Sequence, residues 1–265
     1  MTLPETLTLG QYQLAYNIFS FTIAAMLGSF VFFVLSRQNL APRYRGAMVL
    51  SALVVGIAGY HYLRIFTNWA DLYAISGGTA TLVEGAFFND AYRYVDWALT
   101  VPLLVAELVN VLGLPKKQSG WLTFRLAFAA LAMVILGYPG EVAATIPGRL
   151  VWGTLSTIPF VYIVYVLFSE LGDAIDRQPG EAKVLVRNTR LLLLATWGFY
   201  PIVYLLPVFG IGSDAFVGVQ VGYAIADVLA KCGYGFVIYN IARVKTEALA
   251  ETGTTLPEAV PAAGD

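Results

Sequence analysis

Seven apolar stretches, each long enough to cross a bilayer as a helix, constrain this chain more than any other feature. They fall near residues 12–36, 44–68, 90–113, 121–138, 147–169, 187–209 and 215–242. Crossing the hydrocarbon takes about 20 apolar residues at helical rise. Only 12% of the residues are charged, 58% are hydrophobic, and the mean hydropathy is +0.70. A soluble domain would carry about twice that charge on its surface, so the apolar excess faces lipid. The net charge of −1 provides no basic field and argues against a nucleic-acid partner. Cys232, the single cysteine, rules out an internal disulfide. The opening MTLPETLTLG has neither a basic n-region nor a cleavage site, so the first span is expected to direct insertion itself.

The connections are short and carry turn signals, as in NLAPRYRG, GYPGE and DRQPGE. Residues 69–88 are longer, and ISGGTATLVEGA alternates around glycines in the manner of a small hairpin. The expected fold is therefore all-α: a seven-transmembrane-helix bundle with a short β-hairpin between helices 2 and 3. One membrane domain would cover residues 1–246, and residues 247–265, polar and rich in Pro, Gly and Thr, would form a disordered tail. Lysine and arginine set the orientation. Arg37, Arg43, Arg45, Lys116, Lys117, Arg177, Lys183, Arg187, Arg190, Arg243 and Lys245 all fall on one side. The other side has Asp71, Glu84, Glu141 and Asp214, with Arg149 as the exception. The positive-inside rule places the N-terminus outside and the tail in the cytoplasm.

Four strongly polar residues interrupt the spans: Asp96 and Glu107 in the third, Asp227 and Lys231 in the seventh. Each costs about 2.5–3.5 kcal/mol at a helix centre unless it faces the bundle interior and finds a partner. A structural ion pair would account for some of them, but not for a third carboxyl group far along the third span. Asp227 and Lys231 are i, i+4 and share a face, with Tyr223 one turn earlier. Asp96, Thr100, Leu104 and Glu107 form one stripe on the third helix, its carboxyls about 16 Å apart along the axis. Carboxyls on either side of a buried lysine suit a proton relay. A buried lysine also suits a Schiff base with a carbonyl compound, for which Asp96 and Asp227 could be counterions. Trp97, and Trp197, Tyr200 and Tyr204 around Pro201, could line a pocket for a long apolar aldehyde. No His/Cys pattern suggests a metal.

At these residues the sequence resembles the microbial (type 1) rhodopsins. RYVDWALTVPLL (Arg93 to Leu104), TWGFYPIVY (Thr196 to Tyr204) and YAIADVLAKCGYG (Tyr223 to Gly235) carry the resemblance, which covers about residues 12–246. It implies all-trans retinal bound to Lys231 as a protonated Schiff base, with light-driven isomerisation as the driving event. Asp96, Thr100 and Glu107 are similar to the Asp-Thr-Glu set of bacterial proton pumps, whereas chloride and sodium pumps carry other residues there. The resemblance thus implies a light-driven outward proton pump, a transporter and not an enzyme, of xanthorhodopsin/proteorhodopsin type. Its expected location is the plasma membrane of a bacterium, among lipid, as a homo-oligomer.

The same resemblance distributes roles. Asp96 is implied as primary counterion and proton acceptor, Asp227 as secondary counterion and Glu107 as proton donor, protonated at rest. Tyr62 and Tyr200 are expected to hydrogen bond Asp227, Arg93 to hold charge on the outer side, and His61 to hydrogen bond Asp96. Met133, Gly137, Ser156 and Phe160 match pocket positions, and Leu104 implies green absorption. Asp214 alone stands where other pumps keep a glutamate pair for early release. Gly153 occupies a site where many relatives have tryptophan. It would leave a lateral window that, in xanthorhodopsin-like proteins, admits a carotenoid (xanthophyll) antenna; close helix packing or lipid would also explain a glycine. The alternative within the family is a sensory photoreceptor signalling to a transducer. Outside it, the alternative is a colourless seven-helix receptor or membrane enzyme.

Overall fold

A computed structural model describes residues 3–112, 114–176, 178, 180–210 and 212–251. Seven long helices dominate it: α1 (Leu9–Ser36), α2 (Arg45–Leu72), α3 (Ala91–Leu112), α4 (Lys116–Glu141), α5 (Ile146–Glu170), α6 (Gly180–Phe209) and α7 (Ser213–Glu251). Each is long and apolar enough to span a membrane. Their outer faces carry exposed Phe21, Leu27, Phe124, Phe128, Ile158 and Ile202, the surface that lipid rather than water would cover. Backbone polar groups are then satisfied within each helix, as hydrocarbon requires.

The ends follow local chemistry. α1 opens with a capping box, in which Thr8 Oγ1 accepts from the Gln11 amide and Gln11 Oε1 accepts from the Thr8 amide. α5 opens on Thr145, whose hydroxyl accepts from the Gly148 amide, with Pro147 in its first turn. α7 continues to Glu251, so residues 247–251, expected in the tail, are helical; the rest of that tail and Arg177 lie outside the described residues.

Between α2 and α3 the expected hairpin forms from β2 (Tyr73–Ser76) and β3 (Thr79–Leu82), pairing Ser76 with Thr79. Gly77 and Gly78 close it at φ +58° and +84°, the two positive values that a tight hairpin turn demands. A third strand was not anticipated: β1 (Thr6–Thr8) pairs antiparallel with β3, so the order is β1-β3-β2. Three residues are too few to show a strand period, and only the proximity of the β3 edge recruits them. The sheet covers one end of an aromatic cluster of Tyr12, Phe19, Trp69, Tyr73, Phe88 and Phe216.

α2, α3 and α7 are the most buried helices, 56%, 61% and 56% of their apolar stretches, against 17% for α5. α7 departs from regular geometry at Val228–Gly233, a wider π-type turn that contains Lys231. Such widened turns commonly mark functional positions.

Candidate functional site

The site begins with α7, whose i, i+4 spacing puts Asp227 and Lys231 on one face. Lys231 Nζ donates to Asp227 Oδ1 at 2.7 Å and crosses to α3, where it donates to Asp96 Oδ2 at 2.5 Å. All three residues are at most 2% exposed. A buried cation between two carboxylates is tolerable only because each charge has a partner. Asp227 is the more firmly held. Tyr62 of α2 donates to its Oδ2 at 2.7 Å, Tyr200 of α6 to its Oδ1 at 2.5 Å, and Trp97 Nε1 to Oδ1 at 3.1 Å. Four helices thereby fix one carboxylate. Trp97 was expected only as a pocket wall, and its ring nitrogen adds this further role.

Asp96 has fewer partners. Its Oδ1 is buried without a hydrogen bond, as is Nδ1 of His61 on α2, and no bond between the two groups forms in this structure. Thr100 uses its hydroxyl on the Asp96 backbone carbonyl at 2.8 Å, not on the carboxylate. Arg93, one turn toward the N-terminal end of α3, donates to Gln220 Oε1 at 2.6 Å and lies over the rings of Phe19, Phe88 and Tyr223. Glu107 lies at the other end of the stripe, fully buried among apolar side chains. Ser51 donates to its Oε1, while Oε2 has no partner.

Ser51 was missed, although a signal existed. Ser51 and Tyr62 are eleven residues apart on α2, the same interval as Asp96 and Glu107 on the neighbouring α3. On adjacent helices of opposite direction, equal intervals match both levels at once. A larger omission concerns Glu141 and Arg149, read in sequence as loop charges. They form a buried ion pair, Nη2 to Oε1 2.8 Å, at 2% and 4% exposure. Glu141 Oε2 also accepts from Tyr94 at 3.2 Å and Tyr223 at 2.9 Å. Arg149 donates further to the carbonyls of Tyr204 and Glu141. The two charges are eight residues apart across a tight connection, a spacing that pairs them only once α4 and α5 fold back on each other.

Above Lys231 a cavity of about 290 Å³ opens between α3, α4, α5, α6 and α7. Trp97, Leu104, Met133, Gly137, Gly153, Ser156, Phe160, Trp197, Tyr200 and Tyr204, all named from sequence, line it together with Lys231; Tyr62 does not and serves Asp227 instead. Tyr94, Val101, Pro201 and Tyr223 are added. Its size is that of a small-molecule site, mostly apolar along its length, with the Lys231 amine at one end and the hydroxyls of Ser156, Thr154 and Thr157 near Gly153. At Gly153 a Cβ would come within 2.7 Å of the Tyr204 ring, so that glycine permits a close approach of Tyr204. The cavity extends past it to Thr154 and Thr157, which are exposed on the lipid side.

The bacteriorhodopsin-like family model matches residues 14–245. The chain belongs to this family. It is a microbial rhodopsin, and a multi-pass membrane protein of the bacterial type. Green-light absorbing proteorhodopsin of Gamma-proteobacterium EBAC31A08 is 30% identical to this rhodopsin over 227 residues, 83% of this chain and 82% of that one. Bacteriorhodopsin-I of Haloquadratum walsbyi is 27% identical over 219 residues, 82% of each. Among solved structures, xanthorhodopsin, described as a light-driven ion pump with dual chromophore, superposes with a TM-score of 0.89 at 56% identity. The match covers 96% of this chain and all of that one. Thermophilic rhodopsin matches with the same TM-score at 47% identity, over 93% and 99%.

The family implies retinal, and the residues fit it. A long apolar cavity ends at one buried amine, whose nitrogen here occupies the place of the linkage nitrogen, with carboxylates beside it. Among the described residues no cluster of His, Cys, Asp and Glu could hold a metal ion.

Proposed function

We propose that this rhodopsin is a light-driven outward proton pump in which Lys231 holds retinal, Asp96 accepts the proton and Glu107 supplies the next one. Retinal would provide the light-triggered isomerisation that upsets the balance of charge at the Lys231 nitrogen. The remaining work falls to side chains. Asp227, held by Tyr62, Tyr200 and Trp97, keeps its charge and stays in place. Asp96, hydrogen bonded to Lys231 and with Oδ1 unpartnered, can take the proton at low cost. His61, whose Nδ1 is likewise unpartnered, is the residue we assign to steady Asp96 once it changes charge.

Glu107 has no cation partner and carries its proton at rest, since an isolated carboxylate in apolar surroundings is costly. It can then reprotonate the Lys231 nitrogen and refill from its own end of the bundle. The observation that carries this reading is the placement of donor and acceptor on opposite sides of one buried amine. With the N-terminal end outside, as the lysine and arginine distribution supports, net transport is outward. Illuminated cells or vesicles test it: acidification of the medium of intact cells, cancelled by a protonophore, is the expected result. A light response without proton movement would favour a sensor.

A carotenoid antenna belongs to the same proposal. It is supported by the cavity's extension past Gly153 to the lipid side at Thr154 and Thr157, and by the likeness to a protein described as having two chromophores. An excitation spectrum of the purified protein, with and without added xanthophyll, should gain bands of the carotenoid; Gly153→Trp should remove them.

A further inference from the structure

Between the levels of Lys231 and Glu107, α3 presents the buried apolar residues Leu104 and Val105. One hydroxyl interrupts this barrier. Tyr234, one turn beyond Lys231 on α7 and 1% exposed, donates to the Leu104 backbone carbonyl at 3.2 Å. Leu104 stands three residues before Glu107, so about 4.5 Å separates their levels on the α3 axis, against about 12 Å from Leu104 back to Asp96. The hydroxyl thus divides the gap between donor and amine. Glu107 Oε2 is fully buried and lacks a partner, while Ser51 holds only Oε1. A neutral acid in that setting has a proton to give and no fixed acceptor. A phenol would be an expensive choice for a purely apolar barrier, because phenylalanine fills the same space without a polar atom to satisfy.

We propose that Tyr234 is the station through which the Glu107 proton reaches the Lys231 nitrogen. At rest its hydroxyl is fixed on the Leu104 carbonyl, which keeps the route closed. When the nitrogen has lost its proton, the Tyr234 hydroxyl turns from that carbonyl and passes its own proton to intervening water, which delivers one to the nitrogen. Tyr234 Oη then accepts the proton from Glu107 Oε2. The nitrogen gains one proton, Glu107 becomes a carboxylate and the tyrosine ends unchanged. This inference rests on Glu107 as donor, the reading given above.

The test uses the full chain with retinal and the isosteric Tyr234→Phe, followed by flash spectroscopy. Reprotonation of the Lys231 nitrogen should slow about tenfold, the equivalent of one neutral hydrogen bond lost from the transition state. Deprotonation should keep its rate. The solvent deuterium isotope effect on reprotonation should change, and Tyr234→Phe should add nothing in a Glu107→Gln background. In protein labelled with 13C=O leucine, the dark infrared spectrum should show one leucine carbonyl released by the substitution. A wild-type reprotonation rate in Tyr234→Phe would overturn the relay. So would slowing with an unaltered isotope effect, which is what loosened packing alone would give. If Glu107→Gln still slows the step in either case, the donor reading stands; if it does not, that reading fails first.

Discussion

The two halves of this bundle, on either side of Lys231, solve the problem of buried polarity in opposite ways. On the side of the N-terminus, buried charges are many and paired: Lys231 to Asp96 and Asp227, Arg93 to Gln220, Arg149 to Glu141, with five tyrosines and a tryptophan closing the network. On the other side Lys245 is tied to the Val111 carbonyl and Gln178, while a single buried carboxyl, Glu107, lies in apolar packing with one serine and no cation. Dense pairing stabilises charge, so the first half can receive a proton and keep its ions in place. Sparse surroundings penalise charge, so on the proposed reading the second half would store a proton until it is demanded. On the reading proposed above, the direction of transport would follow from that difference.

The contrast can be broken most completely at its pivot. Lys231→Ala removes the amine, and the protein should acquire no visible absorption band when supplied with retinal. Asp96→Asn should come next, abolishing proton transfer from the Lys231 nitrogen as read by flash spectroscopy. Glu107→Gln should leave that first transfer intact and slow reprotonation on the order of a hundredfold, as expected for loss of a positioned proton donor. A Glu107→Gln photocycle as fast as wild type would erase the distinction between the halves.

Smaller effects sharpen it. Arg149→Met leaves Glu141 buried without its cation and should cost about 3–5 kcal/mol, seen as a lower thermal midpoint, with the order of proton transfers unchanged. Glu141→Gln should cost less, because Arg149 keeps the carbonyls of Tyr204 and Glu141 at 2.8 and 3.0 Å. Asp90, just before α3, tests the crowding of carboxylates on the same side. Burial pushes its carboxyl up to about 6, and the negative charge of Glu141 adds to the effect. The folded protein therefore holds this proton more tightly than the unfolded chain, so Asp90 detracts from stability as pH rises from about 4 to about 6. Asp90→Asn should match wild type near pH 4 and exceed it by about 3 kcal/mol at pH 7, in thermal midpoints taken across that range.

Much of this was legible in the chain. Seven apolar runs, each ended by turn residues, specify spanning helices because hydrocarbon permits no other use of such segments. Asp96, Glu107, Asp227 and Lys231 were visible because charge in an apolar run is costly and stands out against it. Positions lining the cavity followed from the family likeness and not from periodicity, since Met133, Ser156 and Phe160 differ in no local way from other packed residues.

Other features have no signature along the chain. Glu141 and Arg149 sit beside turns, where charge is normally solvated, and only the fold shows that α4 and α5 bury them together. β1 exists because an edge of the hairpin lies within reach. Tyr234 and Ser51 become meaningful only when neighbouring helices bring them level with Glu107. Sequence by itself determined the number of helices and their membrane setting, and singled out the buried amine to which the proposal assigns the chemistry, because solvation acts residue by residue. Which polar groups meet, and which are left alone, was decided by the tertiary structure, because pairing energies depend on distances between helices that no local pattern encodes.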